Sequence, residues 1–186
     1  MSGAQIAADP AGGASRLHGV TLVLGGARSG KSAYAESLIQ DHARQATYLA
    51  TATAGDAEMA ERIRLHRARR GPVWTTIEEP LDLCARLRET ARPERPILID
   101  CLTLWLSNLQ YHERDIEAET RALAALLPGL AGPVVLVANE VGLGIVPDNA
   151  LARRFRDHAG RLNQAVAAAA DTVIFIAAGL PLFLKR

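Results

Sequence analysis

Val20-Thr21-Leu22-Val23-Leu24-Gly25-Gly26-Ala27-Arg28-Ser29-Gly30-Lys31-Ser32 is the stretch on which the reading of this chain turns. An apolar, β-branched run enters Gly25–Ser32, which fits G-x-x-x-x-G-K-S/T at every required position, and a helix-forming segment follows from Ser32 to Asp41. A strand feeding a glycine-bearing turn that opens a helix is a phosphate cradle, because the glycines let backbone N–H groups converge on phosphate oxygens. Lys31 brings a point charge to the β- and γ-phosphates, and the Ser32 hydroxyl can ligate Mg2+. The expectation is a nucleoside triphosphate site in which Gly25, Gly26, Ala27, Arg28, Ser29, Gly30, Lys31 and Ser32 hold the phosphates and Lys31 is catalytic.

Outward from this loop, short apolar runs alternate with helical patterns. Strands are expected at Val20–Leu24, Thr47–Thr51, Ile97–Asp100, Val134–Ala138 and Thr172–Ala177. Helices are expected at Lys31–Arg44, Ala57–Arg70, Leu81–Ala91, Leu104–Leu109, Ile116–Leu127 and Asn149–Ala170. This alternation predicts a mostly parallel sheet with helices on both faces, and strands without polar alternation are those of a sheet buried on both sides. Gly179-Leu180-Pro181 signals a turn, after which Leu182–Lys185 reads as a short edge strand.

The 186 residues suit one domain, residues 19–186, behind an Ala/Gly-rich segment, Met1–His18, expected to be a disordered leader. Aromatic residues make up only 4% of the chain, so Ala, Leu, Val and Ile must build the core. A net charge of +1 gives no footprint for nucleic acid. The leader lacks the basic and apolar regions of a secretory signal, and no apolar run is long enough for a membrane span. Cys84 and Cys101 lack metal-ligand spacing and read as reduced thiols of a cytoplasmic protein.

Ligands of an open α/β sheet bind at the carboxyl ends of its strands. Ile97-Leu98-Ile99-Asp100 is an apolar strand ending in a carboxylate, the arrangement that holds Mg2+ below a phosphate loop, so Ser32 and Asp100 are the expected metal ligands. Ala50, Thr51 and Ala52 end another strand and are candidate nucleotide contacts, whereas Thr103 reads as a cap for the following helix. Asn139 and Glu140 precede the Gly142–Pro147 loop, which either wraps a substrate or simply turns the chain. On the Ala57–Arg70 helix, Arg62, His66, Arg69 and Arg70 share one face. Arginines around His66 would keep its ring neutral and nucleophilic and would bind phosphate, and a solvated basic face is the plainer alternative.

Several segments occur together in order: GGARSGKS at Gly25–Ser32, the Asp56–Arg67 segment containing His66, Trp74–Glu78, Asp100-Cys101-Leu102-Thr103, Asn139–Pro147, Leu151–Asp157 and Gly160–Gln164. In this the chain resembles the bifunctional adenosylcobinamide kinase / adenosylcobinamide-phosphate guanylyltransferases over about residues 19 to 186. The resemblance implies a three-layer α/β fold with a mostly parallel sheet, a P-loop NTPase of RecA-like type. It implies Mg2+-dependent use of ATP or GTP on adenosylcobinamide and its phosphate, a GMP–histidine intermediate on His66, and a homotrimer. It also places Arg67, Ala68, Arg69, Arg70 and Glu78 in the guanine nucleotide site. A carboxylate such as Glu78 can accept both guanine N1–H and N2–H, a donor pair that adenine lacks. Two other readings of the same cradle are a simple small-molecule kinase and a nucleotide-dependent switch, although no N-K-x-D guanine motif is present.

Overall fold

β1 (Val20–Gly25) is buried along its whole length, and the rest of the domain is arranged around it. In the computed structural model, which describes residues 17–52 and 71–186, β1 pairs in parallel with β5 (Val134–Asn139) on one side and β6 (Thr172–Ala177) on the other. β4 (Ile97–Asp100) lies beside β5, then come β2 (Ala46–Ala50) and, at the edge, β3 (Trp74–Glu78). The order is β3-β2-β4-β5-β1-β6-β7, with only β7 (Leu180–Lys185) antiparallel.

Side-chain alternation along the strands divides the core in two. Leu22, Leu49, Ile99 and Leu136 face four helices: α2 (Leu83–Thr90), α3 (Leu102–Tyr111), α4 (Ile116–Leu126) and α5 (Ala150–Ala169). Val23, Tyr48, Leu98, Val135 and Val137 face the other way and meet Ala35 and Ile39 of α1 (Lys31–Gln40). Helices thus cover both faces of a mostly parallel sheet, as the alternating pattern predicts. Asp115 and Asn149 cap α4 and α5 through side-chain oxygens that accept from the N–H groups of Ala118 (2.9 Å) and Ala152 (2.7 Å), the usual remedy for orphaned donors at a helix start.

The differences from expectation have local causes. Trp74–Glu78 is a strand that the pattern did not suggest, because a half-exposed edge strand carries Thr75, Thr76 and Glu78 in place of an apolar run. The first helix ends at Gln40, not Arg44, where the His42 and Ala43 N–H groups both turn back to the Ile39 carbonyl. β7 starts at Leu180 and is exposed throughout, and its Pro181 suits an edge. Leu17, assigned to the leader, packs against the α1-side core. The rest of the leader and the expected Ala57–Arg70 helix lie outside the described residues.

Candidate functional site

The cradle is shaped by two glycines and a hairpin. A Cβ on Gly25 would stand 2.5 Å from Ser29 Oγ and 2.7 Å from the Ile176 carbonyl, so this close approach of loop to β6 requires glycine. Gly30 takes φ +96° at the start of α1, and Arg28 takes φ +58° in the loop. The Gly179 N–H, in the β6–β7 turn, donates to the Ser29 carbonyl at 2.9 Å and props the loop from behind. No acidic residue lies in the first turn of α1, which leaves its positive end open to an anion. Lys31 is nearly buried and its Nζ donates to the Gly26 carbonyl at 3.1 Å, inside the turn it must serve.

Across the sheet, register aligns the carboxyl ends. Ala50 is level with Asp100 on one side and Glu78 on the other, while Gly25 is level with Asn139. Asp100, like Leu98, lies on the α1 face, and its Oδ2 accepts from the Tyr48 hydroxyl at 2.7 Å. Tyr48 is in turn stacked edge-on against Trp74, with ring centroids 5.8 Å apart. Glu78 is exposed at the end of β3. It stands four strands from Gly25, roughly 19 Å along the sheet at ordinary strand spacing. Ser32 and Asp100 offer a hydroxyl and a carboxylate, hard oxygen donors that suit Mg2+, which usually takes few protein ligands and shares the rest with water and phosphate. They fit the ion.

Two sequence expectations are corrected. The Thr51 hydroxyl is not available to a nucleotide: fully buried, it donates to the Cys101 carbonyl and accepts from the Cys101 N–H, both at 2.8 Å. Thr103 does not cap α3, whose N-cap is Cys101; its Oγ1 accepts from the Asn139 N–H at 2.7 Å and ties α3 to the end of β5. Asn108 donates to the carbonyls of Thr51 (2.8 Å) and Pro80 (3.1 Å), holding the β2 and β3 exits together. Tyr48, Asn108 and Asn163 escaped the sequence reading because their roles rest on partners far away in the chain. His66, Arg67, Ala68, Arg69 and Arg70 lie outside the described residues.

The peptide bond between Asp100 and Cys101 is cis. The Cys101 thiol is pushed up to about 11, mainly by burial and then by the Asp100 carboxylate, so it stays protonated and inert beside the site. After β5, Glu140 N–H donates to the Gly25 carbonyl at 3.1 Å, and the Glu140 carboxylate accepts from Gly142 N–H. Arg153 donates to the carbonyls of Pro147 (3.0 Å) and Asp148 (2.7 Å). The intervening loop is held at both ends and presents Leu143, Ile145 and Val146 to solvent.

A phosphate loop on the first of several parallel strands, with an acid at the end of β4, defines an α/β nucleoside-triphosphate-binding protein of the P-loop NTPase class. Solved structures agree on the fold: flagellar accessory protein FlaH from Methanocaldococcus jannaschii superposes at TM-score 0.53 and 14% identity, covering 92% of this chain and 80% of that one. The type III secretion ATPase EscN from enteropathogenic E. coli gives TM-score 0.53 at 12% identity over 87% of this chain and 43% of its own.

The chain belongs to the cobinamide kinase / cobinamide phosphate guanyltransferase family, whose model matches residues 21–184. It is 51% identical over 166 residues to the bifunctional adenosylcobalamin biosynthesis protein CobP of Pseudomonas aeruginosa, covering 88% of this chain and 96% of that protein. It is 42% identical over 179 residues to the bifunctional adenosylcobalamin biosynthesis protein CobU of Escherichia coli K12, covering 88% and 98%. Membership makes it a transferase with kinase and nucleotidyltransferase chemistry. No helix among the described residues is long and apolar enough to cross a membrane.

Proposed function

We propose that this protein phosphorylates adenosylcobinamide with ATP or GTP and then moves GMP from GTP onto the resulting phosphate, by way of GMP held on His66. The observation that carries the reading is the phosphate cradle at the end of β1 and the Asp100 carboxylate at the end of β4, on the same carboxyl edge of the sheet, within a chain of this family. In the first reaction the acceptor hydroxyl oxygen bonds to the γ-phosphorus and the nucleoside diphosphate leaves with the bridging oxygen. Loop N–H groups and Lys31 hold the phosphates where charge develops. Ser32 and Asp100 would hold Mg2+, which would supply neutralising charge.

In the second reaction a His66 ring nitrogen bonds to the α-phosphorus of GTP and pyrophosphate leaves. The phosphate of adenosylcobinamide phosphate then takes the GMP, the N–P bond breaks, and adenosylcobinamide-GDP is released. A covalent intermediate divides one difficult displacement into two easier ones. Ala50 and Ala52, with Arg67, Ala68, Arg69, Arg70 and Glu78, form the nucleotide site in this reading, and the buried Thr51 braces it from behind through Cys101 and Asn108. Glu78 reads guanine. The pinned loop carrying Leu143 and Ile145 starts beside the cradle and offers an apolar seat for the corrin ring. The assembly is a homotrimer in the cytoplasm.

The test is incubation with α-labelled GTP and Mg2+. The wild-type protein should retain acid-labile, base-stable label that maps to His66 by mass spectrometry, and folded His66→Ala should retain none. Label that persists in His66→Ala removes His66 from the mechanism. γ-Phosphoryl transfer to cobinamide without any protein-bound GMP would leave a simple kinase.

A further inference from the structure

Asn139 closes β5 level with Gly25, one strand from the phosphate loop and one strand from Asp100. Its main chain is fastened on both sides. The N–H donates to Thr103 Oγ1 at 2.7 Å, and the carbonyl accepts from Nδ2 of the buried Asn163 at 3.2 Å. The next N–H, from Glu140, closes onto the Gly25 carbonyl. Strand alternation puts the Asn139 side chain with Val135 and Val137, on the face that α1 covers and that Asp100 and Tyr48 share.

Yet Asn139 Oδ1 is buried with no hydrogen-bond partner among the described residues. A buried amide oxygen left without a donor is uncommon, because its desolvation goes uncompensated. Asn108 and Asn163, the structural asparagines nearby, both spend their amides on main-chain carbonyls. Asn139 has a rigidly held backbone and an uncommitted acceptor at the strand end level with Gly25, where the phosphate loop begins. Its amide is neutral, so it adds no repulsion next to phosphate and Asp100, and its broad χ2 torsion lets the carbonyl turn without backbone movement.

We propose that Asn139 is a catalytic residue of the phosphoryl-transfer step, its Oδ1 accepting a hydrogen bond from the acceptor alcohol and holding that oxygen in line with the γ-phosphorus. The assignment rests on the kinase half of the function proposed above. The amide takes no proton. The alcohol oxygen bonds to phosphorus, the bond from phosphorus to the β–γ bridging oxygen breaks with its electron pair staying on the nucleoside diphosphate, and the hydroxyl proton, made acidic as the new bond forms, leaves its hydrogen bond to Oδ1 and passes to solvent water. GMP transfer uses a phosphate nucleophile with no such hydroxyl, so it does not need this contact.

The experiment compares wild type, Asn139→Ala and the isosteric Asn139→Asp in three assays: cobinamide phosphorylation with γ-labelled ATP, GMP transfer to separately prepared cobinamide phosphate, and Mg2+ titration of each. Asn139→Ala should lower kcat for phosphorylation about 10²-fold, the scale of a lost orientation contact. Its KM for ATP and its Mg2+ midpoint should stay put, and GMP transfer should fall by no more than a few-fold. Asn139→Asp keeps an acceptor oxygen and should restore part of kcat, with a new acid ionisation in the pH profile that wild type lacks. If the alanine variant fails to fold, that pH signature and its confinement to phosphorylation decide the matter. Undiminished phosphorylation in Asn139→Ala overturns the assignment, as does a parallel loss of both reactions. A shifted Mg2+ midpoint also overturns it, since Oδ1 would then serve metal-bound water. Wild type inactive in both reactions would instead sink the proposed function.

Discussion

The Tyr48 hydroxyl and the Asp100 carboxylate are joined by a 2.7 Å hydrogen bond between neighbouring strands. Tyr48 is almost wholly buried and braced by Trp74, so the bond fixes the orientation of Asp100 and leaves its other oxygen to act. Partners that orient a metal-binding carboxylate typically matter 10- to 100-fold in metal affinity, so about a tenfold rise in the Mg2+ concentration giving half-maximal kinase rate is expected for Tyr48→Phe. The ring and its packing remain, so stability should fall by only about 1 kcal/mol. Mg2+ titrations at saturating ATP, with urea unfolding of both proteins, check this. An unchanged midpoint would mean that Tyr48 only packs.

Gly25→Ala tests the other side of the cradle. The added methyl meets Ser29 Oγ, which can turn away, and the Ile176 carbonyl, which belongs to the β1–β6 ladder and cannot. Overpacking of this kind costs about 1–3 kcal/mol. The loop it displaces is the one proposed to hold the phosphates, so nucleoside diphosphate affinity should fall along with urea stability. Loss of stability with unaltered affinity would show that the loop recovers its shape independently of β1.

The parts that a sequence spells out are those whose chemistry is local. Val20–Ser32 reads directly, because strand, turn, lysine and hydroxyl must be contiguous to make a cradle. Asp100 reads because an apolar run stops at an acid. Trp74–Glu78 does not read as a strand, since half-exposure removes the apolar run that marks β1 and β5. Thr103 looks like a cap from its neighbours and is instead a tie to Asn139, a contact that exists only once β5 is laid beside β4. Tyr48 looks like one more core aromatic until the β2–β4 register brings it to Asp100. In each case the missing information is the pairing of distant segments.

Cys101 gives a pH dependence whose sign is fixed by its burial. The folded thiol is held up to about 11 while the unfolded thiol titrates near its ordinary value of 9.0. Below pH 9 both states carry the proton and the contribution to stability is complete. Between about pH 9 and pH 11 the unfolded chain loses its proton and the folded one does not, so unfolding is favoured and the contribution drains away, by about 2–3 kcal/mol at full extent. Urea unfolding from pH 8 to 11 should show this loss, and Cys101→Ala should flatten the slope over that window relative to wild type. Iodoacetamide at pH 8 should leave Cys101 unmodified in the folded protein and alkylate it in urea. Rapid alkylation of the folded protein at pH 8, mapped to Cys101, would mean that the thiol is reached by solvent and that burial does not set its proton affinity.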